Sequence, residues 1–244
     1  MVRGDKEANI KRGQDVGVVI DPGQIGSGAS FSGAEPNHFW LNIDGKEFST
    51  QSGISGADHR GDGRAIALFD YDRDGYQDFV LVGSNRPYVQ LYRNKIGDLM
   101  PSDSTYQPIY IRLVGGNKTA SSSTEWTSRD GIGAKVVLKS GDLNISRELR
   151  CGEGLAAQNS STMPIGIGDN KSASFVVKWP TGKITEVAHA VPGQVITVYE
   201  NPADAASSNS FVVSSVSKVA KGVAQEVLAA KIHDDAPTSQ LLLD

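Results

Sequence analysis

The chain of 244 residues has little of what would indicate a disulfide framework, a membrane span or a nucleic-acid ligand. Its single cysteine, Cys151, excludes an internal disulfide, so the chain is not a small cystine-stapled secreted module. No segment approaches the roughly 18 consecutive apolar residues of a transmembrane helix. The 24 basic and 28 acidic side chains give a net charge of −4, and the basic ones form no stripe that could neutralise phosphates. We therefore expect no transmembrane segment and no nucleic-acid partner.

The sequence also lacks the common catalytic motifs. It has no Gly-x-Ser-x-Gly elbow, no P-loop and no dinucleotide fingerprint, and its four histidines are far apart, with no metal-ligand spacing to Cys151. We expect a protein that is not an enzyme. The N-terminal residues contain no apolar segment of signal-peptide length. That absence fits a cytoplasmic protein, and it fits equally a fragment of a longer secreted chain that was cut downstream of its signal.

What the sequence does contain is a series of short β-type runs. Each has four to eight residues and is bounded by Gly, Asp, Asn or Ser. The first block of runs is HFWLNI, KEFST, RAIALFDY, DFVLVGS and YVQLYRN, and the second is IYIRLVGG, GAKVVLKSG, ISRELRCG, SFVVKWP, KITEVA and QVITVYE. This pattern predicts an all-β protein of antiparallel strands, in which the second block, residues 105–200, forms a sandwich or barrel-like domain.

The two ends of the chain differ from the β-rich middle. Residues 1–35 are rich in glycine and charge, and we expect a partly disordered lead-in there. Residues 201–210, NPADAASSNS, have the composition of a linker. In residues 216–232, apolar side chains recur at three- and four-residue steps, which predicts a short amphipathic helix that packs against a core or a partner. The predicted domains are thus 1–35, 36–100, 105–200 and 201–244.

The sharpest feature is the segment FDYDRDGYQDFVLV. Three carboxylates are spaced two residues apart, a glycine permits a tight turn, and a fourth carboxylate closes the ring. Hard oxygen ligands of this kind suit calcium. Four acids within nine residues would also repel one another strongly without a cation. The candidate ligands are Asp70, Asp72, Asp74, Asp78 and the backbone carbonyl of Tyr76. Leu81 stands where an EF-hand has its bidentate glutamate, so this is not an EF-hand.

The acidic loop and its flanks resemble an FG-GAP or VCBS repeat. GDGRAIALFDYDRDGYQDFVLVGSNRPYVQLYRN is similar to most of one such repeat, and NHFWLNIDGKEF resembles the closing strands of the repeat before it. The resemblance implies about one and a half blades of a β-propeller in residues 36–100, with Ca²⁺ held in the loop between the first two strands of a blade. A propeller needs at least four blades to close, so further blades are expected from the same longer protein or from another subunit.

The second block resembles the ASPIC/UnbV domain. The stretches that carry this resemblance are RDGIGAKVVLKSG, ELRCGEGLAAQNS, PIGIGD and KWPTGKITEV, in order, over about 90 residues. In the cartilage acidic protein-like family, this domain typically follows FG-GAP repeats. The resemblance implies an extracellular or periplasmic location and an adhesion or scaffold role, with no established chemistry for the domain.

Together these features predict a calcium-binding, non-catalytic module that binds a protein or a glycan. The alternatives are an accessory or catalytic domain of a carbohydrate-active enzyme, for which Glu148 and Glu153 are the available acids, and a structural subunit of a larger assembly. Glycoside hydrolysis needs two carboxylates on either side of a groove.

Several weaker signals have an ordinary structural explanation beside a functional one. Two Arg-Gly-Asp triplets, at residues 3–5 and 60–62, suggest adhesion, but the second belongs to the blade pattern. Four Asn-x-Ser/Thr sequons would accept glycans only in a eukaryotic secretory pathway; they begin at Asn117, Asn144, Asn159 and Asn170. Of the tryptophans, we expect Trp40 and Trp179 in a core and Trp126 as the one candidate for exposed ligand contact.

Overall fold

The computed structural model describes residues 36–84, 88–99, 107–121, 123–207 and 209–216. The predicted lead-in, and all of the predicted helix except Val216, lie outside these residues. Backbone packing divides the described chain into two compact units. The first holds the described parts of Met1–Ala67, Phe79–Tyr92 and Gly154–Gln158, and the second holds those of Leu68–Asp78, Arg93–Glu153 and Asn159–Asp244.

The first unit is built from two small β-sheets. Its strands are β1 (Trp40–Ile43), β2 (Glu47–Thr50), most of β3 (Gly63–Phe69), most of β4 (Asp78–Gly83) and β5 (Val89–Tyr92), with a one-turn helix at Ser52–Ser55. The last two residues of β3 and the first residue of β4 belong to the second unit. Strands β1 and β2 form a hairpin around Asp44 and Gly45, which have φ values of 52° and 70°. Lys46 completes the three-residue loop, and its amide donates to the carbonyl of Ile43 at 3.0 Å, so the two residues with positive φ are the central residues of the turn. The other three strands form a sheet in the order β3-β4-β5, in which β4 and β5 are antiparallel.

The second unit contains two four-stranded sheets. Its strands are β6 (Ile109–Val114), β7 (Lys135–Ser140), β8 (Leu143–Glu148), β9 (Thr162–Ile165), β10 (Ala173–Lys178), β11 (Ile184–Ala190), β12 (Gln194–Tyr199) and β13 (Phe211–Ser215), with a helical turn at Ile96–Leu99 and a 3₁₀ turn at Pro202–Asp204. The sheet orders are β11-β10-β7-β8 and β13-β12-β6-β9. Among the described residues, no helix is both long enough and apolar enough to cross a bilayer.

One hydrophobic core joins these two sheets. Alternate residues of each strand contribute to it, because successive side chains of a strand point to opposite faces. Its fully buried members include Ile109, Ile111, Val136, Leu138, Ile165, Phe175, Val177, Val187, Ile196 and Val198. Strand β12 shows this alternation, since Ile196 and Val198 are buried while Val195, Thr197 and Tyr199 are half-exposed. Burial of this apolar surface is the main favourable contribution to folding of the unit.

The prediction of an all-β protein is confirmed, with differences in detail. Trp179 lies in the core at 3% exposure, whereas Trp40 is 55% exposed, because β1 belongs to a two-stranded hairpin with no further strand beside it among the described residues. The structure adds β9, whose Pro164 makes it a poor strand by propensity. It also adds β13, which pairs with β12 beyond the predicted linker and domain boundary at residue 200. Finally, β6 and β12 pair in parallel, although we predicted antiparallel strands.

A buried carboxylate holds the long loop between β6 and β7. Glu200, which directly follows β12, is 4% exposed. Its oxygens accept hydrogen bonds from the amide of Gly116 (3.1 Å), from the amide and hydroxyl of Thr127 (2.7 and 2.9 Å) and from the hydroxyl of Thr181 (2.5 Å). Burial alone raises the pKa of Glu200, but the hydrogen bonds from Thr181, Gly116 and Thr127 favour the charged form and lower it overall.

Glu200 should make the stability of the second unit depend on pH. Because its folded-state pKa lies below its unfolded value of about 4.3, its contribution is complete above that value and is lost as the pH falls through the folded-state pKa. Glu200→Gln should lower the free energy of unfolding at pH 7 by about 2 kcal/mol. In this variant the free energy of unfolding should also fall less steeply below pH ~4.3. Denaturant unfolding between pH 3 and 7 measures both effects. Glu186→Gln, an exposed change on β11, serves as the control, and equal acid dependence in all three proteins would contradict the assignment.

Candidate functional site

The acidic segment forms a tight loop that belongs to the second unit. Asp70 directly follows β3, and Asp78 is the first residue of β4. Two residues between them have left-handed backbone: Arg73 with φ of 57° and Gly75 with φ of 102°. Gly75 is buried in this conformation, which other residue types rarely adopt. The chain therefore reverses within the loop and brings carboxylates from both ends of it together.

Three of these carboxylates form a cluster. One oxygen from each of Asp70, Asp72 and Asp78 lies within 4.8 Å of the other two. Asp72 and Asp78 are 7% and 1% exposed, and Asp70 is half-buried. A set of carboxylate oxygens without histidine or cysteine suits a hard cation such as Ca²⁺ or Mg²⁺ better than zinc or copper.

Backbone amides fix the orientation of the clustered carboxylates. Asp70 accepts hydrogen bonds from the amides of Asp74 and Gly75, both at 3.1 Å. Asp78 accepts from the amides of Tyr71 at 3.0 Å and Asn94 at 2.7 Å. These bonds satisfy part of the acceptor capacity of each carboxylate, and they hold both ends of the loop at a fixed separation.

Asp74 is directed to a different partner, the side chain of Arg93. The guanidinium donates to Asp72 at 2.8 Å and to Asp74 at 3.2 Å, and it also pairs with Asp98. The other oxygen of Asp74 accepts the amide of Tyr76 at 2.9 Å. Arg93 thus brings a positive charge to a loop that carries four carboxylates, and it is itself only 22% exposed.

Burial dominates the protonation behaviour of the loop. It raises the pKa of Asp78 to about 6, against the lowering effect of the amide hydrogen bonds from Asn94 and Tyr71. Burial also raises the pKa of Asp74. The hydrogen bonds from Arg93 to Asp98 and Asp72 raise the pKa of the guanidinium, so Arg93 stays charged at any pH at which the protein is folded.

The structure thus brings together three of the five predicted ligands. Ligation by Asp74 and by the carbonyl of Tyr76 stays a prediction. Arg93, which directly follows β5 in the run YVQLYRN, was not among the predicted site residues. Nor was Tyr110, whose hydroxyl donates to Asp70 at 2.6 Å, because nothing in a sequence indicates a contact over forty positions.

The remaining candidates have structural partners. Asp62 of the second Arg-Gly-Asp triplet is 1% exposed and pairs with Arg64 at 2.6 Å. Glu148 lies 3.6 Å from Arg150, while Glu153 accepts a hydrogen bond from Asn159. These two acids therefore have separate partners, and neither contact indicates a catalytic pair.

Trp126 is half-buried instead of exposed. The Lys183 ammonium lies 3.5 Å from its ring centroid, and a Cβ on Gly116 would come within 2.6 Å of the ring. Contacts to Lys183 and Gly116 leave only part of the indole accessible to a ligand.

Comparison with family models identifies part of the second unit. Residues 124–205 match the family model described as ASPIC and UnbV. The matched range contains strands β7 to β12 of the second unit. No curated protein matches the chain.

The positive charge of Arg93 should stabilise the folded acidic loop in the absence of metal. Arg93→Met keeps most of the side-chain length but leaves Asp72 and Asp74 without their partner, which should lower the free energy of unfolding in EDTA by about 3 kcal/mol. Arg129→Met is the matched control, since Asp130, an exposed neighbour, is the ion-pair partner of Arg129 among the described residues, and this variant should unfold like the wild type. Urea titration measures both variants. A loss no larger in Arg93→Met than in Arg129→Met would contradict this role.

Proposed function

We propose that the acidic loop binds Ca²⁺ and that the chain is a non-catalytic binding or scaffold module that acts outside the cytoplasm. The observation that carries the proposal is the convergence of oxygens from Asp70, Asp72 and Asp78 within 4.8 Å at a largely buried position. Asp74 and the carbonyl of Tyr76 are the further ligands that the sequence pattern suggests.

Electrostatics supports a cation at this position. Like charges a few ångströms apart repel strongly, and burial weakens the screening by water. Among the described residues, the guanidinium of Arg93 pairs with Asp72, Asp74 and Asp98, and not with Asp70 or Asp78. A divalent ion among the three clustered oxygens would offset the repulsion that remains there. Ca²⁺ is favoured over Mg²⁺ because it accepts irregular sets of six to eight oxygens.

The surrounding strands support the blade interpretation. The loop joins two neighbouring strands of the sheet β3-β4-β5, which is the place that a calcium loop occupies in an FG-GAP or VCBS blade. The hairpin β1-β2 precedes this sheet in the chain. We propose that these strands are propeller-type elements and that the match to ASPIC and UnbV identifies the domain that follows them.

A scaffold role is the function most consistent with these features. An ion that binds the folded loop would stabilise it by mass action. The ordered loop would then hold the neighbouring surface in a fixed conformation, to which a protein or glycan could bind. Calcium sites of extracellular modules are often weak, which suits a compartment with high calcium and supports a location outside the cytoplasm. The separate partners of Glu148 and Glu153 give no support to the carbohydrate-active alternative.

Calcium should raise the melting temperature of the protein. At a concentration one hundred times the dissociation constant, the expected stabilisation is about 2.7 kcal/mol, or several degrees for a chain of this size. Asp72→Asn and Asp78→Asn should each abolish the shift, whereas Asp169→Asn, in an exposed turn, should preserve it. Melting in CaCl₂ and in EDTA, with titration calorimetry, tests this. An equal transition in both buffers together with no heat of binding would reject the proposal, and an equal response to MgCl₂ would reject its selectivity.

A further inference from the structure

We infer that Tyr110 is a positioning residue for the acidic loop, and that its hydroxyl couples the order of that loop to the stability of the two-sheet domain. The inference concerns residues of the second unit alone. The expected effect of Tyr110 on calcium affinity rests on the proposed function. The expected coupling between loop and sheet in the absence of metal does not.

The burial of Tyr110 is unexpected from its place in β6. Ile109, Ile111 and Leu113 alternate into the hydrophobic core, so Tyr110 and Arg112 point to the opposite face of the sheet. Arg112 is exposed there, but Tyr110 is only 5% exposed. Something must therefore cover the outer face of the sheet at Tyr110 and not at Arg112.

The acidic loop provides part of that cover. The Tyr110 hydroxyl donates to the Oδ2 oxygen of Asp70 at 2.6 Å, and Oδ1 of the same carboxylate accepts the amide of Asp74 at 3.1 Å. In the sheet, Tyr110 is paired with Pro164 of β9 and Val195 of β12. A cavity of about 260 Å³ is lined by residues of the loop and of the segments around β6 and β9, namely Gly75, Tyr76, Gln77, Pro108, Pro164 and Gly166.

Further contacts attach the loop to the same domain. The side-chain oxygen of Asn159 accepts the amide of Leu68 at 2.8 Å, and the amide of Ser160 donates to the carbonyl of Leu68 at 2.9 Å. Leu68 lies two residues before Asp70. At the other side of the loop, the Gln107 amide group donates to the carbonyl of Asp74 at 3.4 Å. The loop is therefore held by the segments around β6 and β9 as well as by its own strands.

These contacts have two consequences. A hydrogen bond from a buried hydroxyl to a carboxylate is charge-assisted and directional, so it fixes the orientation of Asp70. Groups that orient a metal ligand in this way typically contribute 10- to 100-fold to metal affinity. In the absence of metal, the same bond links unfolding of the loop to loosening of the sheet, because displacement of Asp70 removes a charge-assisted bond from the hydroxyl of Tyr110, a residue that is only 5% exposed.

A double-mutant cycle in EDTA tests the coupling without any metal. Tyr110→Phe removes only the hydroxyl and should lower the melting temperature by about 3 °C. In the Asp70→Ala background the same change should lower it by less than half as much, since the acceptor is already gone. Equal shifts in both backgrounds would overturn the inference. Tyr199→Phe on β12 is the matched control, and its shift should be the same with and without Asp70.

Calcium titration calorimetry then separates this inference from the proposed function. Tyr110→Phe should weaken Ca²⁺ binding about tenfold while the protein stays folded, and Tyr199→Phe should leave the affinity unchanged. Wild-type affinity in Tyr110→Phe would overturn the positioning role. If the wild-type protein binds no Ca²⁺, the proposed function fails, and the cycle in EDTA alone decides for or against the coupling.

Discussion

The mutual repulsion of the carboxylates in the acidic loop is the constraint on which much of this structure depends. At 4.8 Å, two unit charges with an effective dielectric constant of 20 repel by about 3 kcal/mol. Three such charges, two of them buried, would open the loop if nothing opposed them. The protein opposes them with backbone amides, with the guanidinium of Arg93 and with the hydroxyl of Tyr110. Since Arg93 and Tyr110 lie outside the loop, its geometry is a property of the domain and not of nine residues alone.

This distribution of partners explains why the carboxylates differ from one another. Asp74 faces Arg93, which it shares with Asp72 and Asp98, so its charge is partly compensated within the protein. Asp78 is almost fully buried and receives two amide hydrogen bonds, yet burial still raises its pKa to about 6. Part of the charge on the loop is thus compensated by side chains, and part is left for a cation or a proton. Under the proposed function, such a loop would fold without an ion and gain stability when an ion binds.

The sequence allowed the local features to be predicted, and the structure supplied the distant ones. Short β-type runs bounded by turn residues located most strands, because β-branched and aromatic residues favour strands while Gly, Asp, Asn and Ser favour the turns between them. The aspartate spacing located the loop, because its carboxylates and its glycine lie within nine residues. Three features had no local signal: the parallel pairing of β6 with β12, the direction in which Asp74 points, and the anchoring of Thr127 by Glu200 over more than seventy positions. The prediction that Trp40 lies in a core was wrong, because a strand-like run does not reveal whether another sheet covers it.

The sheet β13-β12-β6-β9 shows why a family match alone does not define a folding unit. The match to ASPIC and UnbV covers residues 124–205, which excludes β6 and β13. Yet β6 lies between β12 and β9, and its Ile109 and Ile111 are fully buried in the shared core. Without β6, strands β9 and β12 would lose their common partner, and a row of backbone donors and acceptors would be exposed. The smallest chain that retains this sheet must therefore begin before Ile109 and extend through Ser215, and the strand that completes its core also carries Tyr110, the contact to the acidic loop.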